Sequence, residues 1–145
     1  MTELTVGCAL YEGQRILLQQ SKYRERAGLC LPGGHLEPME SIVDAVVREM
    51  REETGLTILD PELCCVKQFR NGEGERYIVF LFKAHAYEGT LRDSEEGHNA
   101  WYERDKLSNY KLVEDLEDQL KAMEDPQINE FLRLEKEGIW RSDYR

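Results

Sequence analysis

The chain opens on alternation. Leu4, Val6, Cys8 and Leu10 are apolar at every second position, the period of a half-buried strand. Thr5 to Leu10 and Arg15 to Gln20 therefore read as two strands joined across Glu12-Gly13-Gln14, a glycine-containing hairpin turn. Leu29-Cys30-Leu31 then runs into Pro32-Gly33-Gly34, where strand gives way to turn. From Ser41 the period lengthens to that of a helix. Ser41 is a good N-cap with Asp44 three residues on, and the pattern runs to Glu53 before stopping at Thr54-Gly55. A further strand pair is predicted at about Leu63 to Arg70 and Arg76 to Tyr87, around Asn71-Gly72-Glu73-Gly74, with a short last strand from Asn99 to Glu103. Leu112, Leu116, Leu120 and Met123 return to helical spacing, and Asp125-Pro126 starts a second helix carrying Ile128, Phe131, Leu132 and Leu134 as far as Gly138. The expectation is one α/β domain over residues 1–145: a mixed β-sheet between helices, closed by a helical C-terminal segment at about 112–137.

The central helix has two unlike faces. At about 100° per residue, Val43, Val46, Val47 and Met50 fall on one arc and Glu49, Glu52 and Glu53 on another, with Ile42 the one apolar residue on the acidic side. Like charges three and four apart cost an isolated helix a few tenths of a kcal/mol per pair, and a bound cation would reverse that sign. Hard carboxylate oxygens select Mg²⁺ or Mn²⁺. Taken alone, Glu-x-x-Glu-Glu is more often a solvated acidic face, so its surroundings must decide.

Composition narrows the classes. With 41% hydrophobic and 33% charged residues the chain is globular, and its net charge of -10 argues against nonspecific nucleic-acid binding, which needs clustered Lys and Arg. An acidic protein that handles phosphates needs metal ions. No apolar run approaches a membrane span, and the alternating first twenty residues do not resemble a leader. Cys8, Cys30, Cys64 and Cys65 form no CxxC pair, so reduced thiols and a cytoplasmic setting are expected.

Gly34 to Leu56 reads GHLEPMESIVDAVVREMREETGL. Its spacing is Gly34, five residues, Glu40, seven residues, Arg48-Glu49-Met50, one residue, Glu52-Glu53, one residue, Gly55-Leu56, which resembles the Nudix box at every defined position. Leu31-Pro32-Gly33-Gly34 also looks like that family's entry loop. The resemblance implies an α/β/α sandwich and hydrolysis of a nucleoside diphosphate linked to another moiety. By matching position it also implies that Glu49, Glu52 and Glu53 ligate metal with the Gly33 carbonyl, and that Glu40 and Arg48 form an ion pair orienting the helix. Glu49, Glu52 and Arg48 are then catalytic candidates. A second acidic loop, Asp93-Ser94-Glu95-Glu96-Gly97, stands before Trp101. It resembles the MutT-like branch, in which a loop Glu binds metal or serves as base; Glu96 takes that place, with Glu95 as the fallback.

The resemblance points to a nucleoside triphosphate such as 8-oxo-dGTP, cut to monophosphate and pyrophosphate. A nucleotide sugar, ADP-ribose or a dinucleoside polyphosphate is the alternative. The rival from another class, a nucleotide-sensing domain without catalysis, fits less well because every motif carboxylate is present. Substrate contacts are expected from Gly34, His35, Arg24, Tyr23 and Asn109, with Phe69, Tyr77 and Trp101 as further candidates. No nucleic-acid or membrane partner is expected, and the apolar C-terminal helices could supply a homodimer surface.

Overall fold

The computed structural model describes residues 1–23 and 27–145. The opening alternation becomes β1 (Glu3–Glu12), followed across the Gly13 turn by β2 (Arg15–Ser21). Two short strands, β3 (Leu29–Cys30) and β4 (Gly33–His35), lead to helix α1 (Ile42–Thr54). The strands β5 (Leu56–Leu59), β6 (Glu62–Arg70), β7 (Arg76–Ala84), β8 (Ala86–Gly89) and β9 (Gly97–Glu103) come next. A 3-10 turn over Arg104–Asn109 and helix α2 (Leu116–Glu124) precede a final hairpin of β10 (Glu130–Lys136) and β11 (Ile139–Tyr144).

The sheet runs β11-β10-β6-β7-β1 and continues into β2, which β3 and β9 flank; β4 pairs with β1. β1 lies parallel to β7 from Glu3 to Leu10, then turns away to pair with β2 at Tyr11 and Glu12. Alternate residues of β1 serve two cores. Val6, Cys8 and Leu10 meet Ala45, Val46 and Met50 of α1, whereas Ala9 joins the opposite cluster with Leu116, Leu120 and Met123 of α2. This is the expected α/β/α sandwich, with the sheet buried between one helix on each side.

The second C-terminal helix does not form. Its residues build β10 and the turn into β11, and the two strands pair antiparallel from Phe131↔Tyr144 to Lys136↔Ile139. Phe131 and Arg133 are buried at alternate positions, and β10 adds in parallel to β6. Residues Glu137 and Gly138 both take positive φ (54° and 80°), the two-residue turn whose twist suits a hairpin. Of the two C-terminal helices expected to supply a homodimer surface, only α2 forms.

Candidate active site

Helix α1 starts as its sequence dictates: the Ser41 hydroxyl accepts the Asp44 N–H at 2.9 Å, and Gly55 ends it at φ 81°. Its covered arc, however, is rotated from the expected one. Val43 is 46% exposed, while Ile42 packs against the core. The covered series runs Ile42, Ala45, Val46, Glu49, Met50, Glu53, at helical spacing. Glu49 and Glu53 therefore face the sheet edge and not solvent. Glu53 is only 8% exposed, and Glu52 alone projects outward.

Arg48 ties this helix to the loop before it. Its Nε and Nη2 donate to the two Glu40 carboxylate oxygens at 2.7 and 2.9 Å, a bidentate pair. Nη2 also donates to the His35 carbonyl at 3.0 Å, and Nη1 to Glu49 at 2.9 Å and Glu52 at 3.2 Å. The guanidinium holds Glu40 down at about 2. One side chain thus fixes the loop, the strand end and two carboxylates.

The glycines exist for close approach. A Cβ on Gly33 would stand 2.1 Å from the Val6 carbonyl oxygen, and one on Gly34 would stand 2.5 Å from the Glu49 carboxylate. The Gly33 N–H donates to Glu53 Oε2 at 3.3 Å, as does Gln19 Nε2 from β2. Gln19 also donates to Asn99, whose Nδ2 in turn donates to the Glu53 carbonyl at 2.7 Å. Burial is the largest influence on Glu53 and, with Glu49 and Glu96 nearby, pushes it up to about 7. Burial also raises Glu49.

The acidic loop is fastened beneath the helix. Arg92 Nη2 donates to the carbonyls of Arg51 and Glu52 at 3.1 and 2.9 Å, and its backbone N–H to the Thr54 carbonyl at 2.8 Å. A cavity of about 730 Å³ is lined by Glu49, Glu52, Glu53, Glu95 and Glu96, together with Lys22 and Arg92. Glu96 is partly buried there and Glu95 exposed. No three His, Cys, Asp or Glu side chains among the described residues are already drawn into a metal cage. The donor set is nevertheless all hard oxygen, and a carboxyl kept partly protonated near pH 7 among its neighbours is one that a divalent cation would discharge. These residues fit Mg²⁺ or Mn²⁺.

A second cavity, about 450 Å³, opens on the α2 side of the sheet. Gln19, Gly33 and Gly34 line it and also lie against the carboxylates, so β4 and Gln19 stand between the two spaces. Phe69 and Tyr77 stack on its wall with centroids 4.8 Å apart, and His35 borders it while paired with Glu3. Tyr23 and Asn109 are exposed and line neither cavity, and Trp101 packs near Tyr87 on the α1 side. Arg24 and Arg26 lie outside the described residues. Residues the sequence did not single out include Gln19, Arg92 and Asn99 at the carboxylates, and Lys67, Asp115 and Gln119 in the cleft. Gln19 carried a signal: a polar residue at the inward phase of an apolar strand.

The raised Glu53 carboxyl has a measurable sign. The folded chain keeps a proton that the unfolded chain releases near 4.5, so folding stability falls as pH rises from 4.5 to about 7. In the metal-free protein, the Tm of wild type is expected to drop relative to Glu53→Gln across that window and to level off above it. A Tm difference independent of pH would mean that the carboxyl titrates as if in water.

Comparison with known proteins accords with this geometry. The NUDIX domain family matches residues 1–123. The uncharacterized Nudix hydrolase YvcI of Bacillus subtilis is 36% identical over 112 residues, covering 74% of this chain and 70% of that protein. The 8-oxo-dGDP phosphatase NUDT18 of Homo sapiens is 35% identical over 97 residues, 63% of this chain but only 29% of its own length. A crystal structure of a MutT protein from Bacillus halodurans superposes with a TM-score of 0.81 at 26% identity, covering 97% of both chains. The chain belongs to the NUDIX family and is a MutT-like Nudix pyrophosphohydrolase.

Proposed function

We propose that this enzyme hydrolyses the pyrophosphate linkage of a nucleoside triphosphate, with an oxidised guanine nucleotide such as 8-oxo-dGTP as substrate and monophosphate and pyrophosphate as products. The observation that carries the reading is the junction at β4, where Gly33 and Gln19 contact the Glu53 carboxylate and also line the aromatic-walled cleft. Such a junction suits a molecule with a phosphate chain at one end and a planar base at the other. The name of the NUDT18 relative supports a second reading, in which an 8-oxo-dGDP-like diphosphate is cut. The free cysteines fit a cytoplasmic setting.

In this proposal Glu49, Glu52, Glu53, Glu96 and the Gly33 carbonyl hold Mg²⁺ or Mn²⁺. When bound, the metal supplies Lewis-acid polarisation of the phosphate and lowers the pKa of water. The chain's own residues do the rest. Arg48 is a positioning residue that holds Glu49 and Glu52 while Glu40 anchors it. Glu96, on the loop that faces the helix carboxylates, is proposed as the acceptor for the proton of the attacking water, with Glu49 as the competing base.

The test is a nucleotide-library screen with Mg²⁺ and Mn²⁺ that separates released pyrophosphate from phosphate. Pyrophosphate from triphosphates is expected, and phosphate from diphosphates supports the second reading. Chelation should abolish turnover and either metal should restore it. Turnover persisting in EDTA would overturn the metal assignment, and release of neither product from any nucleotide would overturn the substrate class.

A further inference from the structure

The long sheet ends in an open edge. β11 stands at one end of its strand order, paired with β10 on one side and, among the described residues, with no strand on the other. The phase of that ladder is set where the Arg145 N–H donates to the Glu130 carbonyl at 3.0 Å and the Glu130 N–H to the Arg145 carbonyl at 3.1 Å. Hydrogen-bonded and non-hydrogen-bonded pairs alternate along an antiparallel ladder. Ile139, Arg141 and Asp143 therefore direct their backbone groups to β10, whereas the N–H and C=O groups of Trp140, Ser142 and Tyr144 point outward.

An open edge is a template for another strand, and the side chains of this one suit a copy of themselves. A two-fold axis normal to the sheet keeps every side chain on its own face, so one residue of β11 must lie on the axis. With Arg141 or Asp143 there, like charges would face each other, which disfavours a strand pair. With Trp140 there, Asp143 would meet Glu137 of the partner subunit, again a like charge. Registers centred on either end of the strand pair fewer residues. With Ser142 on the axis, Arg141 faces the partner's Asp143 and Asp143 faces the partner's Arg141. The same register sets Trp140 against the partner's Tyr144, in a pair whose backbone groups point outward. Both rings are already fixed in place: Trp140 lies under the Arg133 guanidinium at 5.7 Å and edge-on to Phe69, and Tyr144 stacks on Phe131 with centroids 5.5 Å apart. Within its own chain Asp143 accepts the adjacent Tyr144 N–H at 3.0 Å and Arg145 Nη1 at 2.6 Å, local bonds that a partner's carbonyl and guanidinium would replace.

We propose that the protein self-associates through β11, a second copy adding its own β11 antiparallel about Ser142 so that the sheet runs on from one subunit into the next. Ile139, 72% exposed, then lies opposite the partner's Arg145, whose alkyl stem covers it. One strand pair buries less than about 1,200 Å², the low end of stable interfaces, so the dimer assembles with rising concentration. Trp140 also lines the cleft, which places the joint beside that wall. No residue of the carboxylate centre takes part, so the association is independent of which substrate is cut.

The test is sedimentation velocity over a concentration series from micromolar to millimolar, with Tm measured for each variant. Wild type should pass from monomer to dimer. Arg141→Glu sets two carboxylates against each other across the joint and Asp143→Arg two guanidinium groups, so each variant alone should dimerise about 10-fold more weakly or worse. Mixed in equal amounts the two should dimerise again, because each chain then meets the opposite charge at both positions. Were Asp143→Arg to unfold, Arg141→Glu at an exposed position would still decide against wild type. A wild type that stays monomeric at every concentration, an Arg141→Glu variant that dimerises as wild type does, or folded variants that remain monomeric when mixed would each overturn this pairing.

Discussion

Glu53→Gln is expected to lower kcat by roughly 10²–10³-fold or more and to weaken Mn²⁺ binding, while the protein stays folded. Glutamine keeps the shape and leaves an oxygen to accept the Gly33 and Gln19 N–H groups, both now at 3.3 Å. What it removes is the charge. The buried carboxyl sits at about 7, so the metal-free fold tolerates a neutral group there, whereas a divalent ion does not. Steady-state kinetics over a metal titration, beside calorimetric Mn²⁺ binding, would check this. A variant within threefold of wild type in both would remove Glu53 from the metal site, and an unfolded variant would make it structural.

Arg48→Ala is expected to lower rate and metal affinity together, each by roughly 10–100-fold, the scale of losing a group that orients ligands. The substitution frees Glu40, Glu49 and Glu52 at once, along with the His35 carbonyl. Arg48→Lys should restore little, because a point charge cannot reproduce the bidentate grip on Glu40. Glu40→Gln combined with Arg48→Ala should be hardly worse than Arg48→Ala alone, since both break one connection. Additive losses would show that the two residues act separately.

Much of this was legible from residues whose chemistry is local. Ser41, Asp44 and Gly55 announce where α1 begins and ends, because capping depends on a few neighbouring atoms. The carboxylates were marked out by the resemblance of Gly34 to Leu56 to the Nudix box. The rotation of α1 was not legible, since placing Glu49 and Glu53 on the covered arc depends on what Gly33, Gln19 and Asn99 offer them from distant strands. The C-terminal hairpin was misread for a different reason. Ile128, Phe131, Leu132 and Leu134 fit a helix stripe as well as a strand, and Gly138, taken as a helix stop, is half of a turn whose other residue is Glu137. With β10 hidden in that misreading, Arg133 and Trp140 could not be placed in any site.

The attachment of the acidic loop decides how this centre can move. Arg92 caps the carbonyls of Arg51 and Glu52, its backbone bonds to Thr54, and Asn99 bonds to the carbonyl of Glu53, all at the C-terminal turn of α1. Lifting the loop would strip the partners from that turn. Residues 92–99 are thus a bracket and not a lid, and Glu96 shifts only as far as the helix end does. A substrate gains nothing by prising this side open. On the cleft side, by contrast, Gly33 and Gly34 present backbone with no side chain to displace.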